Sequence, residues 1–299
     1  MDDEIYEKYL LAGEIAGKAR EYGAKLIKPD VSYLEVADKV EEKIKNLGGE
    51  ISFPVNISVN EIAAHYTPYH NDNSKFKKGD VVKIDVGTHI DGYIADTAMT
   101  VEVETNEHEE MIKASEEGLE KAINTIRAGI DLSEIGTTVE NKIKSYGFKP
   151  IDNLTGHSLK RYILHAGLSV PSVESMYCIE KPKVDDVIAI EPFATNGEGH
   201  VVAGNGSNIY LCKENLNLKL VRDHNAKSLF IKIKNNYKTL PFAQRWVYKD
   251  FNTNEMMFRK LTFFRVLKHY PQLIEKKKGI VTQREHTVII KEDGCEVTT

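Results

Sequence analysis

Cysteines and long hydrophobic runs are both scarce in this chain. The three cysteines, Cys178, Cys212 and Cys295, are odd in number and show no CxxC spacing, so they suggest neither a disulfide framework nor a thiolate zinc site. No apolar run approaches the ~18 residues of a membrane span, and the first residues lack the basic and apolar regions of a secretion signal. We therefore expect a cytoplasmic protein with no membrane partner.

An excess of charge of either sign is also missing. The 299 residues include 40 Lys and Arg and 45 Asp and Glu, giving a net charge of −5. With 41% hydrophobic and 28% charged residues, the composition is that of a globular protein. The chain lacks a basic patch of the kind that would predict a nucleic-acid partner. We expect the lysine run Lys276–Lys278 to lie on the solvated surface.

The predicted secondary structure repeats one order of elements. Two amphipathic helices, the second opened by a capping box at Ser32, are followed by strands, and the same order then recurs. The spacing predicts helices at 3–22 (ending at Gly23), 32–48, 107–127 and 131–146, and strands at 51–59, 61–66, 187–193 and 281–290. The pattern favours an α+β fold with largely antiparallel pairing. An internal duplication is suggested by the order of elements alone.

Residues 198–275 have a different sequence pattern from the segments on either side. Asp223, Pro241 and Asn254 each resemble the start of a helix, which predicts a helical, winged-helix-like insertion into a catalytic domain of residues 1–197 and 276–299. A winged-helix nucleic-acid module is the alternative, but no concentrated basic recognition helix is present. We favour a subdomain that walls the active site.

The segment 82–97 sets two aspartates on one predicted hairpin. If the turn is centred between Ile90 and Asp91, Asp85 and Asp96 face each other directly. Like charges in that position destabilise a sheet unless a cation neutralises them. A pair of metal ions would do so.

Three further polar residues interrupt apolar patterns. Glu191 and Glu285 lie within predicted strands, and His157 follows a glycine. Each alone is more often an ion-pair, edge or hydrogen-bonded residue. Together with Asp85 and Asp96 they form an oxygen-rich set that suits two Mn²⁺, Fe²⁺, Co²⁺ or Zn²⁺ ions. Such a centre activates water for hydrolysis.

Seven segments then form a recognisable set of motifs. They are Phe53-Pro through Ala63-Ala-His65-Tyr-Thr-Pro68, Lys83-Ile-Asp85-Val-Gly, Ile94-Ala-Asp96-Thr-Ala, Thr155-Gly-His157-Ser, Leu164-His165-Ala-Gly, Ile190-Glu191-Pro-Phe-Ala-Thr195 and Glu285-His286-Thr. Over essentially the whole chain, this set resembles the type 2 methionine aminopeptidases. The resemblance implies the pita-bread fold, in which two pseudo-symmetric α+β halves enclose a dinuclear metal site.

The resemblance also implies roles for individual residues. Asp85 would chelate one ion, Asp96 and Glu285 would bridge both, and His157 and Glu191 would complete the other. A metal-bridging hydroxide would attack the first peptide bond while Glu191 accepts and returns the proton. His65 and His165 would contact the substrate and the tetrahedral intermediate. Without the motif around it, His65 would be read as a core histidine.

The implied substrate is a nascent polypeptide whose initiator methionine precedes a small residue. The ribosome is a candidate place for the enzyme to bind it. A methionine side chain needs an apolar slot, and we expect Phe53, Phe193, Leu164 and Tyr270 to line it. We expect the protein to be a monomer.

Two observations bear on the subtype and on the alternatives. The interval between Glu191 and Glu285 leaves room for the insertion of the type 2 enzymes, and the early position of Asp85 is typical of archaeal members. The alternatives are an X-Pro-cleaving enzyme of the same fold, such as prolidase or aminopeptidase P, and a non-catalytic interaction protein. The first usually carries an additional N-terminal domain, and the second typically loses metal ligands.

Overall fold

A computed structural model describes residues 1–175, 181–214, 216 and 221–299. The helices are α1 (Asp3–Leu26), α2 (Tyr33–Asn46), α3 (Glu109–Thr125), α4 (Leu132–Ser145), α5 (His224–Tyr237), α6 (Gln244–Asp250) and α7 (Glu255–Phe263). None of these described helices is both long and apolar enough to cross a bilayer. Cys212 and Cys295 are free thiols, whereas Cys178 lies outside the described residues.

Most of the strands are short. They are β1 (Glu50–Val59), β2 (Ile62–Ala64), β3 (Val81–Ile90), β4 (Tyr93–Glu102), β5 (Lys149–Pro150), β6 (Thr155–Leu159), β7 (Ser169–Pro171), β8 (Val187–Ile190), β9 (Phe193–Thr195), β10 (Val201–Gly204), β11 (Ile209–Cys212), β12 (Phe242–Ala243), β13 (Leu267–His269), β14 (Gln272–Glu275), β15 (Val281–Gln283), β16 (His286–Ile290) and β17 (Cys295–Val297). Every strand pair described is antiparallel.

The first half of the fold packs α1 and α2 against the sheet β1-β3-β4. Ser32 caps α2 as predicted, since its hydroxyl accepts a hydrogen bond from the Glu35 backbone N–H at 3.1 Å. The predicted end of α1 at Gly23 is wrong. A Cβ there would lie 2.3 Å from Ile84 Cδ1 and 2.7 Å from Val40 Cγ2, so this glycine allows close packing inside the helix.

The second half repeats this plan. Helices α3 and α4 pack over the five-stranded sheet β17-β16-β8-β6-β7 and enclose a separate hydrophobic core. The doubled order of elements therefore corresponds to two α+β halves, each with its own core, as the sequence predicts.

Two strands predicted as continuous are broken in the structure. The first breaks between β8 and β9, and the second between β15 and β16. Strands β8 and β16 pair in one sheet, while β9 and β15 pair in another. Glu191 and Glu285 lie at these breaks and not inside regular strands, because the chain changes sheet at each glutamate.

The region between β9 and β15 mixes helices and strands. Asp223 and Asn254 cap α5 and α7 as predicted, and α5–α7 surround the sheet β12-β11-β13. Pro241 does not begin a helix, because it leads into β12, and the third helix ends at Phe263 before the chain becomes β13. This region is thus not purely helical, because it combines three helices with a small sheet. We keep the name winged-helix-like region for it, and the insertion limits of 198 and 275 stay a prediction.

Candidate metal centre

The two aspartates share one face of the β3–β4 hairpin but do not lie directly opposite each other. The turn consists of Asp91 and Gly92, both with positive φ (51° and 88°), as in a two-residue type I′ turn. Asp85 therefore pairs with Ala98 and is the diagonal neighbour of Asp96. The predicted register is wrong because the turn is centred one residue later, yet diagonal neighbours remain within reach of each other.

Side chains from both halves of the molecule meet around His157. Its Nε2 lies 3.7 Å from Asp96 Oδ2 and 3.8 Å from Glu191 Oε1. One ligand atom each from Asp96, His157 and Glu285 fall within 4.8 Å of one another. Asp85 lines the same cavity. The five predicted metal ligands are thus brought together.

The electrostatics of this cluster are unfavourable without a cation. Burial raises the pKa of Asp85, and burial together with the neighbouring carboxylates raises the pKa values of Asp96, Glu191 and Glu285 well above their usual range. Arg20 lowers the pKa of Glu285, but less than burial and the other carboxylates raise it. The cluster collects negative charge that the surrounding protein does not balance.

The donor set fits divalent metal ions. Asp85 Oδ1 and Asp96 Oδ1 are buried and accept no hydrogen bond from the described residues, although buried carboxylate oxygens are ordinarily satisfied. Burial lowers the pKa of His157 to about 3, so its imidazole is neutral and can coordinate. Carboxylate oxygens with one imidazole suit Mn²⁺, Fe²⁺, Co²⁺ or Zn²⁺.

Two residues that the sequence analysis missed contact the carboxylates. Asn56 Nδ2 donates to Asp85 Oδ2 at 3.4 Å from the opposite position on β1. Gln283 Nε2 donates to Glu285 Oε2 at 3.3 Å and to Glu191 Oε2 at 3.4 Å. Gln283 lies two positions before Glu285, on the same face of an extended chain, and this spacing could have predicted their contact. The contact of Asn56 with Asp85 depends on the pairing of β1 with β3, which the sequence alone does not give.

Imidazole and phenol rings form the other wall of the cavity. The ring centroids of His157 and His165 are 4.3 Å apart, and Tyr270 lies 5.4 Å from His65 and 6.3 Å from His165. His65 has φ 64°, and its Nδ1 lies 3.3 Å from the Pro271 carbonyl oxygen. Since a carbonyl only accepts, Nδ1 carries the proton. His165 lies in a bend of the chain.

The apolar residues predicted to bind methionine do not all reach the cavity. Phe53, Leu164 and Tyr270 line it, together with Ile209 from the winged-helix-like region. Phe193 does not line it: its side chain is 1% exposed and packs in a small core that includes Val201 and Val281. Its position beside Glu191 in sequence is misleading because β9 turns its side chain into that core.

Three comparisons relate this chain to known proteins. The profile of metallopeptidase family M24 matches residues 7–226. A methionine aminopeptidase from Methanocaldococcus jannaschii is 48% identical over 299 residues, covering 100% of both chains. Among solved structures, a methionine aminopeptidase from Thermotoga maritima has a TM-score of 0.72 at 24% identity, covering 100% of this chain and 97% of that one. A prolidase from Pyrococcus furiosus has a TM-score of 0.65 at 19% identity, covering 100% of this chain and 64% of that one.

The solved structures and the sequence relative carry different information. Both structural neighbours have the pita-bread fold, which confirms the predicted fold class but is common to two specificities. The full-length identity of 48% is to a methionine aminopeptidase, whereas the prolidase extends well beyond the length of this chain.

Proposed function

The chain belongs to metallopeptidase family M24 and is a methionine aminopeptidase, and on that premise we propose that it removes the initiator methionine from new polypeptides whose second residue is small. The proposed location is the cytoplasm, where the enzyme would bind nascent chains, including those still on the ribosome. The proposed cofactor is a pair of divalent ions, Co²⁺, Mn²⁺, Fe²⁺ or Zn²⁺.

The observation that carries this proposal is the unbalanced charge of the cluster. Asp85, Asp96, Glu191 and Glu285 bring four carboxylates to one cavity, where their raised pKa values report the cost of being charged. Two divalent cations would balance four carboxylates, and His157 would add a neutral nitrogen ligand. All five side chains come from one chain, which supports a monomer as the working unit.

The bound ions would supply Lewis acidity, lowering the pKa of water and polarising the scissile carbonyl. Glu191 is suited to accept a proton at Oε1 from the attacking water and return it to the leaving amine. Burial and the nearby Asp85 charge raise its pKa above the usual range of a carboxyl group, which makes the carboxylate a better proton acceptor. Gln283 occupies Oε2 through a hydrogen bond and leaves Oε1 for this role.

The two other histidines are suited to hold the substrate. Burial lowers the pKa of His65 to about 4, so its ring is neutral, and with the proton on Nδ1 its Nε2 can accept a hydrogen bond from a substrate N–H. His165 is exposed at the rim of the cavity, in reach of the peptide that follows the methionine. We assign both a role in substrate binding.

The methionine side chain would enter the apolar part of the same cavity. Phe53 and Leu164, 5% and 9% exposed, offer ring and branched aliphatic surface there, and Tyr270 adds a third wall. An unbranched thioether fits such a surface through dispersion contacts, including sulfur–aromatic contacts.

Release of methionine from Met-Ala-Ser tests the activity directly. We expect the Mn²⁺, Fe²⁺ or Co²⁺ protein to cleave Met-Ala-Ser faster than Met-Leu-Ser and to leave Ala-Pro-Ser intact. Glu191→Gln should abolish release because the amide cannot take up the proton. Glu120→Gln, the same change at an exposed site on α3, should not. Metal content after gentle purification tests the cofactor independently.

Two results would contradict the proposal. Preferential cleavage of Ala-Pro-Ser would point to the X-Pro specificity shared by this fold. Absence of both bound and bindable divalent ions would favour a non-catalytic interaction protein.

A further inference from the structure

A second and larger cavity lies between the first half of the fold and the winged-helix-like region. Its volume of about 1030 Å³ is at the upper end of small-molecule sites. We call it the seam cavity; it is lined by α2, the start of β1, the end of β3 and the segment from α5 to α6. None of the five metal ligands lines it.

His89 brings an unused hydrogen-bond donor to this cavity. The residue is 4% exposed, and its Nδ1 accepts a hydrogen bond from the Gly92 backbone N–H at 3.0 Å. Burial and the charge of Lys238 lower the pKa of His89 to about 4. The ring is therefore neutral, and the single proton is on Nε2. Among the described residues nothing accepts a hydrogen bond from that nitrogen.

Lys238 supplies a cation at the same corner. Its Nζ lies 3.7 Å from the centroid of the Tyr162 ring, whose own centroid is 5.4 Å from that of His89. No described carboxylate forms an ion pair with Lys238. Its backbone has φ 54° and ψ −121°, a conformation that is strained for any residue with a Cβ. Lys238 is exposed to solvent, so its ammonium group is available to a ligand that enters this corner of the cavity.

The carboxylates of the seam cavity are engaged elsewhere or face away from the donor. Asp38 and Glu41 pair with Arg245, and Asp250 accepts a hydrogen bond from Tyr237 at 2.7 Å. Glu50 approaches His89 at 3.9 Å, but on the side of Nδ1, which has no proton to donate. Glu42, on the rim, is exposed.

We propose that His89 and Lys238 bind the oxyanion of a small molecule, a carboxylate or a phosphate, whose body lies in the seam cavity. The neutral Nε2–H and the ammonium group supply two donors, one of them charge-assisted. The Tyr162 ring holds Lys238 in place by a cation–π contact and is itself fixed, since the Tyr162 N–H donates to the Gly92 carbonyl at 2.7 Å.

The seam cavity and the active-site cavity are neighbours that share lining segments. The segment 238–241 gives Lys238 to the seam cavity, and Pro241 lines both cavities. The loop that holds Tyr162 likewise supplies Leu164 to the active-site cavity. The oxyanion site is nevertheless built from residues that the proposed peptidase reaction does not use.

The chain provides its own reporter of binding. Trp246 is the single tryptophan and lines the seam cavity. We would titrate the metal-loaded enzyme with inorganic phosphate, phenyl phosphate and benzoate, following Trp246 emission and the heat of binding. Saturable binding of at least one probe is expected. Stronger binding of phenyl phosphate assigns a phosphate ligand, and stronger binding of benzoate a carboxylate.

Three variants locate the bound oxyanion. Lys238→Gly removes the cation and relieves the positive-φ strain, so it should unfold at the same or a higher temperature while binding at least about tenfold more weakly. His89→Phe keeps an aromatic ring beside Tyr162 and should also weaken binding. Lys249→Met, a change at another lysine of the cavity, should bind as wild type does.

Two results would overturn the proposal. One is the absence of saturable binding by all three probes. The other is binding of equal strength in wild type and Lys238→Gly, which would place the anion elsewhere, for example at the metal centre.

Discussion

Gln283 donates a hydrogen bond from Nε2 to Glu285 Oε2 at 3.3 Å. The same nitrogen reaches Glu191 Oε2 at 3.4 Å, so one neutral side chain orients two carboxylates from different strand breaks. Residues that orient metal ligands in this way commonly change metal affinity when they are replaced.

We therefore expect Gln283→Met to bind Mn²⁺ or Co²⁺ about 10- to 100-fold more weakly. Methionine has a similar length but no N–H, so the glutamates lose their common donor while the packing is kept. Competition with a chromophoric chelator measures the affinity. Gln244→Met, a matched change on α6, should leave it unaltered; equal affinities in all three proteins would show that Gln283 does not position the ligands.

Gly156, the glycine before His157, lies too close to β8 to carry a side chain without strain. A Cβ on Gly156 would lie 2.4 Å from the Ala189 carbonyl oxygen and 3.1 Å from Ile190 Cα, so β6 and β8 would have to separate beside the ligand. Gly156→Ala should cost about 1–3 kcal/mol of stability and weaken metal binding. Urea unfolding and the chelator assay measure these effects.

Gly294→Ala is the control for that variant, because a Cβ there meets no atom within 4 Å. A Gly156→Ala protein with wild-type stability and metal affinity would show that the strands adjust without moving His157.

Local signals were sufficient for the parts of the fold that depend on neighbouring residues. The caps at Ser32, Asp223 and Asn254 were predicted correctly because a cap uses a side chain and a backbone N–H two or three positions apart. The predicted metal ligands were identified because their motifs resemble those of a known family. The positions of Glu191 and Glu285 at breaks between strands were not predicted.

The errors arise where a distant segment decides the conformation. Gly23 reads as a helix end, but it is inside α1 because Ile84 and Val40 pack against it. Phe193 reads as a pocket residue, but pairing of β9 with β15 turns it into a core. Asn56 carries no local signal at all, since its contact with Asp85 depends on strand register.

Acid should destabilise the protein in part through His89. Its pKa is lowered to about 4, against about 6.5 in an unfolded chain. Between these values the native state binds fewer protons, so this contribution to stability is complete above pH 6.5 and is lost as the pH falls towards 4. From pH 7 to 4, wild type should lose up to about 3 kcal/mol more than His89→Gln.

Urea unfolding at several pH values measures that difference. His224→Gln, the same change at an exposed histidine on α5, is the control and should follow the wild-type profile. Parallel profiles for wild type and His89→Gln would mean that the pKa of His89 is the same in the folded and the unfolded protein, which would contradict this prediction.

The seam between the winged-helix-like region and the first half depends on Arg245. Its buried guanidinium contacts Glu41 Oε1 and donates from Nη1 to Thr67 Oγ1 at 2.6 Å and to the Pro68 carbonyl at 3.2 Å. Thr67 follows His65 by two positions. Arg245 therefore ties the second cavity to the loop that presents a proposed substrate-binding histidine.

Arg245→Met should cost about 3–5 kcal/mol, because it leaves Glu41 buried without its cation. Replacing both residues, as Arg245→Met with Glu41→Leu, removes the unpaired charge and should recover part of that loss. Because the double variant still lacks the contacts to Thr67 and Pro68, its KM for Met-Ala-Ser should stay raised while its stability improves. Urea unfolding and steady-state kinetics separate the two effects; if KM recovered together with stability, Arg245 would serve the seam alone and not the position of His65.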